Sequence, residues 1–496
     1  MTRPALALAC GLLVLSAALP GDDKKDPPAG KKDGEKKGVA EKKGAEPAPP
    51  PQLHVGPVPH KVVRVSAPDA KHPGEVSVAI NPVYPDHVVV TSFQAAQPGK
   101  YSTNNYTYNS TDAGLTWKTI PAPNPDRRNQ ADDSVTFGPD GTAYHCYLSA
   151  TGYASGGVPP LRAASGLFVR RSLDGLAWEP PVAVVDHVNT AEPMEDKPWV
   201  VVDGIAGSPH RGNVYVSWTR FDKYGSRDPE HRSRIFFARS RDEGKTFSPP
   251  VRVSDTSGGA HDDSNTLEGA VPTVGPKGEV YVAWAGPDGI MFDRSEDGGY
   301  SFGKDVKVSA QPGGWDYPAA GFSRHNGLPI TGCDVSRSKF RGSVYVCWAD
   351  RRNGDSDVFV AASRDGGKTW GEPVRVNDDP LKNGKDQLFA WMVVDPTDGS
   401  VNVVFFDRRA SAGPTDTRLA VTVARSVDGG QTFGNFPVKM EPFATGEGFP
   451  GDYNGIAAYR GRVVAVFPHF VTRKELAISV ALFRFRPGTL DPVVDD

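Results

Sequence analysis

Ser363-Arg364-Asp365-Gly366-Gly367-Lys368-Thr369-Trp370 is the stretch that decides the fold of this chain. It has the chemistry of a tight hairpin corner. The Asp carboxylate accepts turn amides, glycine permits positive φ, and the aromatic buries itself between sheets. The pattern returns as Ser110-Thr-Asp112-Ala-Gly114-Leu-Thr116-Trp117, Ser240-Arg-Asp242-Glu-Gly244-Lys-Thr246-Phe247, Ser295-Glu-Asp297-Gly-Gly299-Tyr-Ser301-Phe302 and Ser426-Val-Asp428-Gly-Gly430-Gln-Thr432-Phe433. Ser172-Leu-Asp174-Gly175-Leu-Ala177-Trp178 is a degenerate copy, one residue short and without the Thr. A corner repeated at intervals of 62, 68, 55, 68 and 63 residues marks one supersecondary unit used again and again.

A second repeat fixes the number of units. An aromatic closes a β-rich run seven times, at Phe93, Tyr147, Trp218, Trp284, Trp348, Phe405 and Phe467. In six of these a Gly stands six residues earlier, at Gly141, Gly212, Gly278, Gly342, Gly399 and Gly461. After the corner comes an outer strand, as in Pro250-Val-Arg-Val-Ser254 and Pro373-Val-Arg-Val-Asn377. The seventh unit has only one strand, near Glu475–Phe485, after its aromatic run. Its missing outer strand is supplied by Lys61-Val-Val-Arg-Val-Ser66 at the other end of the chain. The reading is an all-β propeller of four-stranded antiparallel blades over residues 53–490, closed by an N-terminal strand that removes the open sheet edges. Seven blades are expected, with six as the alternative.

The first residues read as export machinery. Arg3, the apolar run Ala5–Ala18 and the small residues Ser16-Ala17-Ala18 make residues 1–21 a signal peptide, too short for a membrane span. Residues 22–52, rich in Lys pairs, Gly and Pro, form a flexible tether with almost nothing to bury. The expected location is secreted, periplasmic or in the cell envelope. A net charge of −3 gives no reason to expect nucleic acid.

Propeller topology sorts loops onto two faces. The corners lie on one; the loops before the innermost strand and between the second and third strands lie on the other. On that second face a carboxylate stands near each innermost strand: Glu75, Asp133, Asp196, Glu268, Asp316, Asp386 and Asp452. Such convergence on the axis suits a cation site or acids and bases for hydrolysis; the alternative is a set of loop caps. Asp350-Arg351-Arg352 and Asp407-Arg408-Arg409 share this face with Arg220 and Arg473, either to grip a ligand carboxylate or to pair with neighbouring blades.

The corner motif is the Asp box, and the chain resembles the sialidase superfamily. The resemblance implies a Tyr nucleophile with a Glu base, an Asp acid, and arginines on the substrate carboxylate. Asp452-Tyr453-Asn454-Gly455-Ile456 looks like the family's last-blade Tyr segment, and Glu268-Gly-Ala-Val like its Glu-bearing inner strand. The implied catalytic set is Tyr453, Glu268 and Asp133. Arg220, Arg351, Arg408, Arg473, Asp196, Asp316, Asp386 and Asp452 form the implied ligand-binding set. The family's best-known members have six blades, and they carry an Arg on the first inner strand. Here that strand, Glu75-Val-Ser-Val-Ala-Ile80, has none, nor does an Arg follow Trp284. The expectation is an exported, sialidase-like propeller that binds or processes glycans, acting as an exo-glycoside hydrolase. The alternative is a non-catalytic carbohydrate- or protein-binding propeller. The expected partner is a glycan, with no nucleic acid, no transmembrane segment and a monomeric chain. No cofactor is expected; calcium at the acidic positions, or a metal near His261-Asp262-Asp263, is left open. Cys333 and Cys347 flank a hairpin centred near Phe340 and are expected to form a disulfide, leaving Cys146 a buried free thiol.

Overall fold

In the computed structural model, residues 59–97, 100–151, 163–322, 324–413, 416–447 and 449–493 are described. The expected signal peptide and tether lie outside them. Seven antiparallel sheets follow one another in chain order, and the described residues contain no helix, hence none long and apolar enough to cross a membrane. The innermost strands of blades one to seven are Gly74–Ile80, Asn129–Phe137, Met194–Val202, Glu268–Val274, Ile330–Cys333, Gln387–Val394 and Gly455–Tyr459. Each leads outward through its sheet in sequence order, except in blade seven. There His60–Arg64 is the outermost strand, paired with Glu475–Arg484 from His60↔Phe483 to Arg64↔Ser479.

The second strand of each blade carries the aromatic that the sequence marks. Trp218, Trp284 and Trp348 are fully buried. The six glycines that precede these strands all have φ between 76° and 89°, the left-handed turn that a side chain would strain. Apolar clusters lie between neighbouring blades, as where Tyr281, Phe292 and Ile330's blade-mates Val344 and Val346 meet. Burial is thus shared between sheets, and no blade owns a core.

The corners behave as their composition dictates. In the 363–370 copy, Ser363 Oγ donates to Asp365 Oδ1 at 2.8 Å and accepts from Gly367 N at 2.8 Å, while Thr369 N and Oγ1 donate to the Asp365 carboxylate at 2.9 and 2.6 Å. Trp370 then packs edge-on against Phe292 of the preceding blade, ring centres 5.1 Å apart. The degenerate copy keeps the main-chain part: Gly175 N donates to Ser172 Oγ at 2.9 Å and Ala177 N to Asp174 Oδ1 at 2.8 Å. Although some burial opposes it, hydrogen bonds led by the Thr369 hydroxyl hold Asp365 at a pKa of about 2. The corners are structural.

The expected disulfide is corrected. Cys333 pairs with Val344 and Cys347 with Ile330, so the hairpin is centred between Ser338 and Lys339 rather than near Phe340. Three residues of offset put the two thiols on opposite faces of the sheet, Cys333 in the core between blades four and five and Cys347 in that between five and six. Cys146, Cys333 and Cys347 are all free and buried.

Ring closure gives the first test. A chain beginning at Pro59 should melt like the full-length protein. One beginning at Ala67 loses the strand on Glu475–Arg484, and should melt at least several degrees lower and aggregate through the bared edge. Equal melting curves would show that closure does not depend on this strand.

Candidate functional site at the channel mouth

Five of the seven innermost strands carry the same irregularity near their start. The register of each breaks between Gly74 and Val76, Ala131 and Ser134, Asp196 and Trp199, Glu268 and Val271, and Leu388 and Trp391. A residue in each break is left-handed: Glu75 (φ 48°), Asp132 (54°), Lys197 (48°), Gly269 (77°) and Phe389 (51°). For the four that are not glycine this conformation costs about 1–2 kcal/mol each. What the bulge does is re-aim side chains at the point where a straight strand would keep them within its sheet.

Glu75, Asp132, Asp196 and Glu268 are thereby gathered near the axis, where Asp452 joins them from the loop before Gly455–Tyr459, all at most 4% exposed. Lys197 lies among them, its Nζ 2.6 Å from Asp452 Oδ2, 3.8 Å from Glu268 Oε1 and 4.0 Å from Asp132 Oδ1. Arg324 lies over the group with its side chain 41% exposed, donating from Nε to Asp452 Oδ1 at 2.8 Å and from Nη2 to Oδ2. Its Nη1 reaches Asp262 Oδ2 at 3.2 Å, and that oxygen also accepts the Tyr224 hydroxyl at 2.5 Å. Asn326 donates to the Asp452 carbonyl at 2.9 Å. Among the described residues no set of three or more His, Cys, Asp or Glu is placed to hold a metal ion, so the observed counter-charges to these carboxylates are Lys197 and Arg324.

Burial drives the acids apart in pKa. Desolvation would raise Asp452, but Arg324 and then Lys197 hold it well below the usual carboxylate range. Glu268 is pushed well up, by burial first and by Asp262 next, and neither of its oxygens has a hydrogen-bond partner. Glu75 is raised by burial and by Asp132. Asp196 is pushed up to about 8 by burial and by the Asp132 carboxyl against it.

Tyr453 is the member with a nucleophile's chemistry. Its hydroxyl donates to Asp132 Oδ1 at 3.3 Å, and burial followed by Glu75 and Asp132 makes its phenol resist ionisation. Its ring stands edge-on to Trp199 at 5.7 Å and tilted to Trp391 at 5.4 Å, while these two indoles cross the axis 4.4 Å apart. On one side of the indoles is a cavity of about 30 Å³ bounded by Lys197, Asp452 and Tyr453; on the other is an axial cavity of about 180 Å³ lined by the inner strands.

The residues expected from the sequence divide. Tyr453, Glu268, Asp196 and Asp452 belong to the cluster, although Tyr453 meets Asp132 and Glu268 faces Lys197. Asp133 points into blade two, with Oδ1 2.5 Å from His145 Nε2. Arg170 donates to His145 Nδ1 at 3.0 Å, which assigns the proton to Nε2. Asp316 is exposed, with its main chain bonded to Ser264 Oγ. Asp386 accepts from Ser356 N at 3.0 Å and lies 3.6 Å from Arg408 Nη1. Arg408 is buried and also donates to the Ala320 carbonyl. Arg220 is fixed on Glu195, with Nη2 2.5 Å from Oε1. Arg351 and Arg473 are exposed on loops. The cations at the mouth are instead Lys197 and Arg324. The sequence reading missed these two, together with Asp132 and the paired indoles.

No protein-family model matches the chain, and no curated protein matches it. Similar solved structures include a Hadza microbial sialidase at 16% identity, with 80% of this chain and 76% of that one covered and a TM-score of 0.44. An α-L-arabinofuranosidase from Fusarium graminearum follows at 11% identity, 86% and 97% coverage and a TM-score of 0.46. An ulvan lyase, from a polysaccharide lyase family, stands at 12% identity, 82% and 94% coverage and a TM-score of 0.45. At such values nothing about the chemistry of the mouth passes from them to this chain.

The raised carboxyl of Asp196 makes a stability prediction. With its pKa at about 8 in the folded chain against about 4 unfolded, the unfolded state releases a proton that the folded state keeps, and stability falls as pH rises through that window. Asp196→Asn keeps a donor for Asp132 and removes the titration. Its melting temperature relative to wild type should rise from pH 4 to pH 8. A constant offset across that range would contradict the assignment.

Proposed function

We propose that this chain is an exported, glycan-processing propeller acting as an exo-glycoside hydrolase at the channel mouth. The observation that carries the reading is that one buried cluster holds a carboxyl pushed well up in pKa, Glu268, and a tyrosine hydroxyl that donates to a second acid, Asp132. Glycosidic cleavage needs a carboxyl that is protonated at working pH and a second group, on the other side of the bond, that attacks. Glu268, raised and with no hydrogen-bond partner, has a proton to give to the leaving oxygen. Tyr453 is the attacking group, with Asp132 placed to take its proton as the Tyr453 oxygen bonds to the anomeric carbon. Water then displaces the tyrosine, giving one proton to Glu268 and keeping the other as the new sugar hydroxyl, while Asp132 returns the phenol's own proton to the departing phenoxide. Relative to the roles implied by the family resemblance, Asp132 takes the place of Glu268 as base, and Glu268 that of Asp133 as acid.

The charge balance selects the sugar. Lys197 and Arg324 are both engaged by Asp452, Arg220 is held by Glu195 and Arg408 by Asp386, and Arg351 and Arg473 lie exposed on loops away from the cluster. Among the described residues the cluster offers a substrate carboxylate no unengaged cation, which supports an uncharged unit at the mouth. A binding propeller without turnover is the second reading; the closeness of the mouth, with about 30 Å³ enclosed beside Tyr453 and Arg324 across the top, favours it.

A panel of neutral aryl glycosides decides between them. Tyr453→Phe, Asp132→Asn and Glu268→Gln should each lower kcat/KM at least ~100-fold while the folded baseline in circular dichroism is kept. Glu268→Gln should recover most on substrates whose leaving group needs no proton. Wild-type protein that turns over none of the panel, yet binds the corresponding free sugars, would establish the binding reading.

A further inference from the structure

A separate groove of about 590 Å³ opens on the same face as the mouth, between the loop after Asp350 in blade five and the loop before Gln387 in blade six. Its walls are Arg351, Arg352, Asn353, Gly354, Asp355, Lys382 and Gly384. Two of its three cations are uncompensated. Arg352 is fixed on Asp350, Nη2 to Oδ2 at 2.6 Å. Arg351 is exposed, and the one hydrogen bond of its side chain among the described residues is a long one of 3.4 Å to the Gly354 carbonyl; Lys382 is exposed and has no ion pair among them. Asp355 sits at the buried end of the groove, one oxygen accepting from the amides of Gly384 at 2.7 Å and Lys385 at 3.3 Å. Its other oxygen has no partner.

The two loops are also tied to each other, so the groove is pre-formed. Besides the Asp355 bonds, Ser356 N donates to Asp386 at 3.0 Å and Ser356 Oγ to the Gln387 carbonyl at 2.8 Å. Asn383 is fixed on Asp379 at 2.6 Å and accepts from Lys385 N at 2.8 Å. Between these anchors Lys382 is held left-handed, φ 57°. A long side chain on a strained, braced loop tip is presented outward at reduced entropic cost of binding.

We propose that this groove binds an acidic sugar unit, a uronate or a sulfate ester, through Arg351 and Lys382. The guanidinium of Arg351 offers paired donors to a planar carboxylate or a sulfate, and Lys382 a point charge beside it. The volume is that of a small-ligand site. No aromatic lines the groove for a nucleobase to stack on. The inference goes beyond the hydrolase reading and does not need turnover at the mouth. Taken together they describe a glycan that carries its charge on a unit other than the one being cleaved.

Titration calorimetry of the intact protein tests it with three probes of equal length: an oligogalacturonate, a sulfated galactan oligosaccharide and a neutral galactan oligosaccharide. At least one acidic probe should bind more tightly than the neutral one and weaken with added salt. The Arg351→Ala/Lys382→Gln double variant should weaken that binding about tenfold with an unchanged melting temperature, and Tyr453→Phe should leave it as it is. The acidic probe that binds identifies carboxylate or sulfate as the anion. No preference for either acidic probe, or equal binding by the double variant, overturns the proposal. If Tyr453→Phe abolishes acidic binding while the double variant does not, the anion sits at the mouth and both readings fall.

Discussion

Seven sheets make a ring only if the last can be completed, and the chain completes it with residues from its other end. The consequence reaches the axis. Once His60–Arg64 lies on Glu475–Arg484, every innermost strand is held facing six others, and whatever those strands project at their mouths is forced together and out of water. Left to themselves, five acidic side chains would spread into solvent. The ring denies them that, and the pKa shifts at the mouth follow from it. The same confinement explains why Lys197 and Arg324 both converge on Asp452: two cations on one carboxylate is a poor bargain in water and a good one where burial raises the neighbouring carboxyls of Glu75, Asp196 and Glu268.

The blade architecture was legible because it is written in short, local, repeated chemistry. The Ser-x-Asp hairpin corners, the glycines before the second strands and the split last blade each follow from backbone geometry, and the structure has all three. The mouth was legible only to within one residue, and one residue decides everything on a strand. Asp132 and Asp133 are adjacent acids; the bulge sends the first to the axis and leaves the second in blade two with His145. Lys197 was hidden by the same shift. Arg324 comes from residues 310–329, which have no strand pattern to place them. The cysteine pairing failed through parity too, since a hairpin centre displaced by little more than one residue moved Cys333 to the opposite face from Cys347.

The parallel Asp-Arg-Arg motifs show how far identical local sequence can diverge. In both, the last arginine folds back on its own aspartate, Arg352 on Asp350 and Arg409 on Asp407. The middle arginine is decided by its neighbours. Arg408 is drawn inside by Asp386 and the Ala320 carbonyl, and burial lowers its pKa, whereas Arg351 finds no such partners and stays in solvent. Sequence supplies the charge; the adjoining loop determines whether it is a brace or a free hand.

Trp199 and Trp391, crossing the axis 4.4 Å apart, bound the cavities on both of their sides. The two indoles therefore form a shared wall between the cavity beside Tyr453 and the axial cavity lined by the inner strands. A sugar that reaches Tyr453 from the mouth meets that aromatic wall before the channel beyond it.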